Sequence, residues 1–264
     1  MTDYKEKFRK SLEEGYKKYL SVHPRSTKKI VPMHKCLSEI ILSKLGGEKA
    51  GFSIKSMGID DNKEFNFQGK YYSKDIDITI LYKNKPISGL GFKFITSNYK
   101  QNSNNYFENM LGETANLKRA DFLYGQVLVF KHKMPYYSSD KKTFTKIEHI
   151  NEKNIAKYVK LHNDNVPLLY HKPDIVFLTF IETGDEAEFE KIVKLNEKGT
   201  PKKINKGEFH KKQIKRVKVK FIKTSELSKK NFSKETLDFL KKVSDFEGFI
   251  SAFVNLTKGK IYGK

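Results

Sequence analysis

From Ile175 to Ile181 only Thr179 interrupts an unbroken apolar run. A strand that is apolar on both sides needs cover on both sides, so this run predicts a central strand with helices packed on each face of its sheet. Residues 51 to 95 supply neighbours for it. Phe52-Ser53-Ile54-Lys55, Glu64-Phe65-Asn66-Phe67 and Asp75-Ile76-Asp77-Ile78-Thr79-Ile80 alternate with the period of half-buried strands. A turn at Lys83-Asn84-Lys85-Pro86 leads into a further strand, Ile87 to Ile95.

Helical spacing marks the rest. Tyr4, Phe8, Leu12, Tyr16 and Leu20 recur at i, i+4 over residues 3 to 20, ending before His23-Pro24. A second helix near 33 to 45 turns Cys36, Ile40, Ile41 and Leu45 inward and stops at Gly46-Gly47. Further helices are expected over 103–120, 151–162, 185–195 and 233–256, the last capped by Ser233. A strand is expected at 126–130, and 214–222 reads as a basic alternating strand. The expectation is an α/β protein with a mixed central β-sheet flanked by helices on both faces. It forms one domain over 1–264, with a core at about 34–183 and a basic region at about 200–264.

Charge narrows the function. A formal net charge of +21 repels itself in a compact chain, and a polyanionic partner relieves that repulsion. Nucleic acid is the expected partner. Cys36 is the only cysteine, which excludes an internal disulfide and any zinc site built on several cysteines. The first residues are charged and no apolar run approaches the roughly 18 residues that span a bilayer, so a cytoplasmic protein with no membrane association is expected. No glycine-rich phosphate loop is present, which argues against energy-coupled translocation.

The chemistry concentrates in Ser73-Lys74-Asp75-Ile76-Asp77-Ile78-Thr79-Ile80, a tight turn, and Gly89-Leu90-Gly91-Phe92-Lys93-Phe94-Ile95. An Asp on one strand of a hairpin and a Lys on the next bring both heads to the same end of a sheet. Lys93 sits inside an apolar run, where an unpaired ammonium is costly. A metal-dependent phosphodiesterase needs this pairing: the carboxylate holds Mg2+, and the Lys orients the nucleophile and steadies developing charge. Asp77 and Lys93 are therefore the expected centre, with Asp75 a second carboxylate on the same strand face.

Asp77 and Lys93 in this setting resemble the PD-(D/E)XK nuclease superfamily, and type II restriction endonucleases within it. The resemblance covers roughly residues 34 to 130, about a third of the chain. It implies a restriction endonuclease-like fold, Mg2+-dependent hydrolysis of double-stranded DNA and a homodimer. The pattern expects an acid two residues before the Lys, where Gly91 stands. Some members carry the second acid on the helix after the Lys strand, and Glu108 stands fifteen residues beyond Lys93. The resemblance thus implies Glu108 as a metal ligand and catalytic residue with Asp77, and Glu113 as the alternative. Glu39 on the second helix is a further candidate carboxylate, with a solvent-facing position the stronger expectation.

DNA contacts are expected from two places. Asn98, Tyr99, Gln101, Asn104 and Asn105 crowd the polar segment after Lys93, suited to phosphates or base edges. Lys211, Lys215, Arg216, Lys218 and Lys220 fall on the basic strand. Pro173-Asp174 opens the buried strand and reads as structural. Two alternatives stay open: a repair or junction-resolving nuclease on the same scaffold, and a non-catalytic DNA-binding protein in which Gly91 marks a lost site.

Overall fold

The computed structural model describes residues 3–22, 26–59, 62–137, 144–165, 168–197, 206–227 and 232–263. Helix α1 (Tyr4–Ser21) starts where the Asp3 side chain accepts the Glu6 N–H at 2.8 Å. Helix α2 (Val31–Leu45) carries Pro32 in its first turn and ends at Gly46, whose φ of 95° suits only glycine well. Strands β1 (Phe52–Ser56), β2 (Phe65–Gln68), β3 (Ser73–Ile76), β4 (Ile78–Tyr82) and β5 (Lys85–Ile95) follow, then α3 (Tyr99–Lys118) and β6 (Leu123–Lys131). A hairpin of β7 (Lys133–Tyr137) and β8 (Phe144–His149) precedes α4 (Glu152–Asn163) and β9 (Ile175–Glu182). The remainder is α5 (Glu186–Glu197), α6 (Lys206–Ile214), β10 (Lys220–Phe221), α7 (Lys234–Val243) and α8 (Phe246–Tyr262).

Six strands form the main sheet in the order β1-β4-β5-β6-β9-β10. Strands β5, β6 and β9 run parallel, and the other pairings are antiparallel. The apolar run on β9 divides by its period of two. Phe177 and Ile181 join a cluster with Phe8, Met33 and Phe253 from α1, α2 and α8, while Leu178 and Phe180 join Met110, Ile155 and Phe239 from α3, α4 and α7. The sheet is therefore mixed and covered by helices on both faces. Among the described residues, no helix is long and apolar enough to cross a membrane.

A buried ionic knot ties α1 to the sheet. Lys131 and Asp185 have fully buried side chains and form an ion pair; Lys131 also donates to the Tyr16 hydroxyl at 3.1 Å, and Tyr16 donates to Asp185 at 2.8 Å. Removing one member of such a pair costs about 3–5 kcal/mol, because the other charge is left buried alone. The knot is closed on itself and serves architecture.

Several expectations are corrected. The expected strand 214–222 is mostly not one: α6 runs to Ile214, and only Lys220–Phe221 pairs with β9. The alternation is still obeyed, with Val217 and Val219 buried and Lys218 and Lys220 exposed, because this stretch lies along the sheet edge, where Lys218 N–H donates to Thr183 O at 2.9 Å. The terminal helix is two helices, broken where the Asp245 side chain accepts the Gly248 N–H at 3.2 Å and starts a new N-terminus. Helix α3 begins at Tyr99 rather than 103, and the β7–β8 hairpin is not anticipated by the sequence pattern. The stop at His23-Pro24, positions 200–205 and 228–231 of the basic region, and residue 264 lie outside the described residues.

Candidate metal centre

Asp77 stands between β3, which leaves the main sheet to pair with β2, and β4, which stays in it. Two hydrogen bonds fix this break. The Ser56 hydroxyl donates to the Asp77 carbonyl at 2.7 Å, and the Asp77 carboxylate accepts the Phe92 N–H at 2.6 Å. Phe92 adjoins Lys93, and successive Cα atoms are about 3.8 Å apart, so the carboxylate lies beside the base of the Lys93 side chain. The sequence expects these two residues at one end of a sheet; the hydrogen bond sets Asp77 against β5 one residue before Lys93, and His34 and Glu64 feel the charges of both.

Two further residues converge on Asp77. Ligand atoms of His34, Glu64 and Asp77 all lie within 4.8 Å of one another. His34 comes from the first turns of α2, with its ring 5.4 Å from that of Phe92. It is 0% exposed, and among the described residues neither ring nitrogen has a hydrogen-bond partner. A buried imidazole with both nitrogens unpaired carries an uncompensated desolvation cost, and a ligand at this point would offset it. Burial lowers the His34 pKa, with the Asp77 charge opposing and the Lys93 charge assisting. The ring is thus held neutral and offers a lone pair, the form a metal ligand takes. Burial, followed by the charges of Asp77 and Asp75, raises the Glu64 pKa, while Lys74 and Lys93 oppose it. One imidazole and two carboxylates therefore converge, with the charge of Lys93 felt by His34 and Glu64, and the donor set fits a divalent cation.

Neither His34 nor Glu64 announces itself in the sequence. His34 falls on the same helical stripe as Leu37 and Ile41, where a histidine reads as core. Glu64 precedes an alternating segment on the polar side of the pattern, where an acid reads as solvated. For α2 the stronger expectation is a solvent-facing Glu39, with a metal-facing carboxylate the weaker one. Glu39 is exposed and faces Lys35 at 3.9 Å, and the α2 side chain that reaches Asp77 is His34.

Gly91 is accounted for by packing. It pairs in register with Gln126, and a Cβ there would overlap the Tyr124 hydroxyl and stand 2.7 Å from Gln126 Oε1. An acidic side chain has no room at this position. The Tyr124 hydroxyl donates to Gln126 Oε1 at 3.4 Å, and its pKa is raised by burial and then by the charges of Glu113 and Asp77. Glu113 is 14% exposed at its side chain and forms a 2.8 Å ion pair with Lys74.

Of the two helix glutamates, the structure brings Glu113 toward Asp77 and leaves Glu108 outside. Glu108 is exposed and acts on Lys157 of α4, whose pKa burial lowers and Glu108 raises. Five residues turn a helix by about 500°, so the two glutamates point about 140° apart and only one can face the sheet end. The expectation that Glu108 joins Asp77 as a metal ligand is corrected accordingly. Asp75 also lies apart from the ligand cluster: it is exposed on β3, accepting from Asn66 Nδ2 at 2.7 Å, because the break at Asp77 ends the shared strand face.

The expected DNA-contacting residues divide. Tyr99 is fully buried and donates to Asn154 O at 3.1 Å, so it is a packing residue. Asn98 pins β7 through both its amide atoms, to Tyr137 O at 3.1 Å and from Tyr137 N–H at 3.2 Å. Asn104 accepts from Lys157 Nζ at 3.1 Å, while Gln101 and Asn105 lie exposed on α3 rather than in a loop. Lys211 lies on α6, and Lys215, Arg216 and Lys218 lie between α6 and β10; all are exposed, with Arg216 paired to Glu188 and Lys220 to Glu226 at 2.8 Å. Asp174 is structural: it pairs with Lys118 at 2.8 Å and accepts the Tyr124 N–H at 2.9 Å. Compared with known protein families, with curated proteins and with solved structures, the chain matches none.

Proposed function

We propose that the protein is a metal-dependent, sequence-specific endonuclease that hydrolyses phosphodiester bonds of double-stranded DNA, in the manner of a type II restriction enzyme. The observation that carries this reading is a buried imidazole without a hydrogen-bond partner among the described residues, its ligand atom within 4.8 Å of those of two carboxylates and under the charge of Lys93. The net charge of +21 supplies the second support, because it favours a polyanionic substrate.

His34, Glu64 and Asp77 would hold the cation, Mg2+ in the simplest form of the reading. When bound, a divalent cation polarises the scissile phosphate and lowers the pKa of a coordinated water. The protein does the rest by position. The Phe92 N–H holds one Asp77 oxygen and leaves the other to turn toward the cluster. Lys93 places a positive charge where the phosphate gains negative charge and orients the attacking water. Glu113 holds Lys74 at 2.8 Å, and its charge and that of Asp77 both act on Tyr124. Cutting both strands of a symmetric sequence with one centre per chain calls for a homodimer.

The test is incubation of supercoiled plasmid with the protein and Mg2+ or Mn2+, together with Lys93→Ala and Asp77→Asn. Discrete linear fragments that vanish in both variants support the reading. Nicking alone, or cutting confined to branched DNA, would turn it into a repair or junction-resolving enzyme. No cleavage by the unaltered protein with either metal overturns it and leaves a DNA-binding protein.

A further inference from the structure

We infer that His34 makes this centre selective for a transition-metal dication, with Mn2+ bound in preference to Mg2+. The inference rests on the metal centre of the preceding reading and is independent of its DNA substrate.

The argument starts from donor chemistry. Mg2+ is a hard cation that takes oxygen ligands, holds tightly to its waters and binds proteins through one or two carboxylates. Imidazole nitrogen favours first-row transition metals instead. Glu64 and Asp77 alone would suit either ion. His34 breaks the tie, because its ring is 0% exposed, lies within reach of both carboxylates and, among the described residues, has no hydrogen-bond partner for either nitrogen. A site selecting Mg2+ gains nothing from such a residue, since a buried ring nitrogen facing the ion would displace a water that Mg2+ retains. Mn2+ accepts both donor types and keeps the open octahedral positions that a phosphate and a water need.

The placement of His34 makes this preference a property of the fold. Its helix is fixed by Met33, Leu37, Ile40 and Ile41 in the main core, and its ring packs edge-on against Phe92. Phe92 also donates the N–H that holds Asp77. The nitrogen donor and one oxygen donor are thus positioned by the same residue of β5, before any ion arrives.

The experiment uses the full chain without DNA. Mn2+ is titrated by electron paramagnetic resonance and then competed with Mg2+, and the bound Mn2+ is examined for nitrogen modulation of the electron spin echo. The expected result is Mn2+ binding tighter than Mg2+ by about tenfold or more, with ¹⁴N modulation that changes when the protein carries ¹⁵N-histidine. His34→Ala should remove the modulation and bring the two affinities close together. If that variant does not fold, the isotope exchange in the unaltered protein decides alone. Equal affinities, or bound Mn2+ without histidine nitrogen modulation, overturn the inference. Histidine-coordinated Mn2+ in a protein that leaves plasmid intact would retain the metal site and discard the nuclease. Cleavage with Mg2+ but no preference for Mn2+ would do the reverse.

Discussion

The Tyr124 hydroxyl occupies the space that a Cβ on Gly91 would take. Gln126 Oε1 closes the same space from β6, 2.7 Å from where that Cβ would stand. Gly91 is therefore a packing requirement of this site. The groups that do gather near Asp77 are Glu64 and His34, with ligand atoms within 4.8 Å of one another.

Restoring the acid by substitution should accordingly fail. Gly91→Asp forces Tyr124 out of a fully packed position, and overpacking of this kind costs about 1–3 kcal/mol. Thermal melting should show a lowered midpoint, with no gain in cleavage. An unchanged melting temperature with increased activity would show that the space over Gly91 is open.

Glu113 and Glu108 should separate cleanly. Glu113→Gln removes the charge that holds Lys74 and faces Tyr124, and residues that orient a metal site typically contribute about 10–100-fold. Glu108→Gln alters an exposed side chain near Lys157 and should leave cleavage within about twofold. Initial rates on plasmid decide the ranking; the reverse order would place the metal-facing side of α3 one turn earlier.

The legible part of this protein is what periodicity controls. The run Ile175–Ile181 marks a strand covered on both faces, and the hairpin register that pairs Ile78 with Leu90 brings Asp77 to the backbone just before Lys93. What periodicity cannot express is convergence between distant elements. His34 reaches Asp77 only because α2, packed on β1, lays its ring against Phe92 of β5, and Glu64 only because β3 turns out of the sheet at Asp77. The same break separates Asp75 from Asp77, which strict alternation would have kept together. The Ser233–Leu256 pattern likewise hides its interruption, since Ser244-Asp245 leaves the apolar spacing nearly unchanged while supplying a new cap.

Acid should weaken the fold through His132. Burial, with the charges of His149 and Lys133 adding to it, lowers its pKa from 6.5 to about 4. The unfolded chain takes up that proton first as pH falls below 6.5, so stability declines between pH 6.5 and about 4 and levels off below. His132→Gln should flatten this part of the profile in denaturant titrations at several pH values. An unaltered profile would assign the acid sensitivity to other groups.

Salt should report the DNA face. Lys211, Lys215 and Lys218 are exposed on α6 and the stretch before β10. Changing all three to Ala should weaken binding to cognate and random duplex alike and flatten the dependence of log affinity on log salt by about one unit per lost contact. A slope identical to that of the unaltered protein would place DNA on another surface.

Crystals grown with Mn2+ and measured at the manganese absorption edge test the central claim most directly. One anomalous peak per chain is expected, about 2.0–2.4 Å from a ring nitrogen of His34 and from carboxylate oxygens of Glu64 and Asp77. A peak coordinated by other residues, or none at saturating Mn2+, would contradict it.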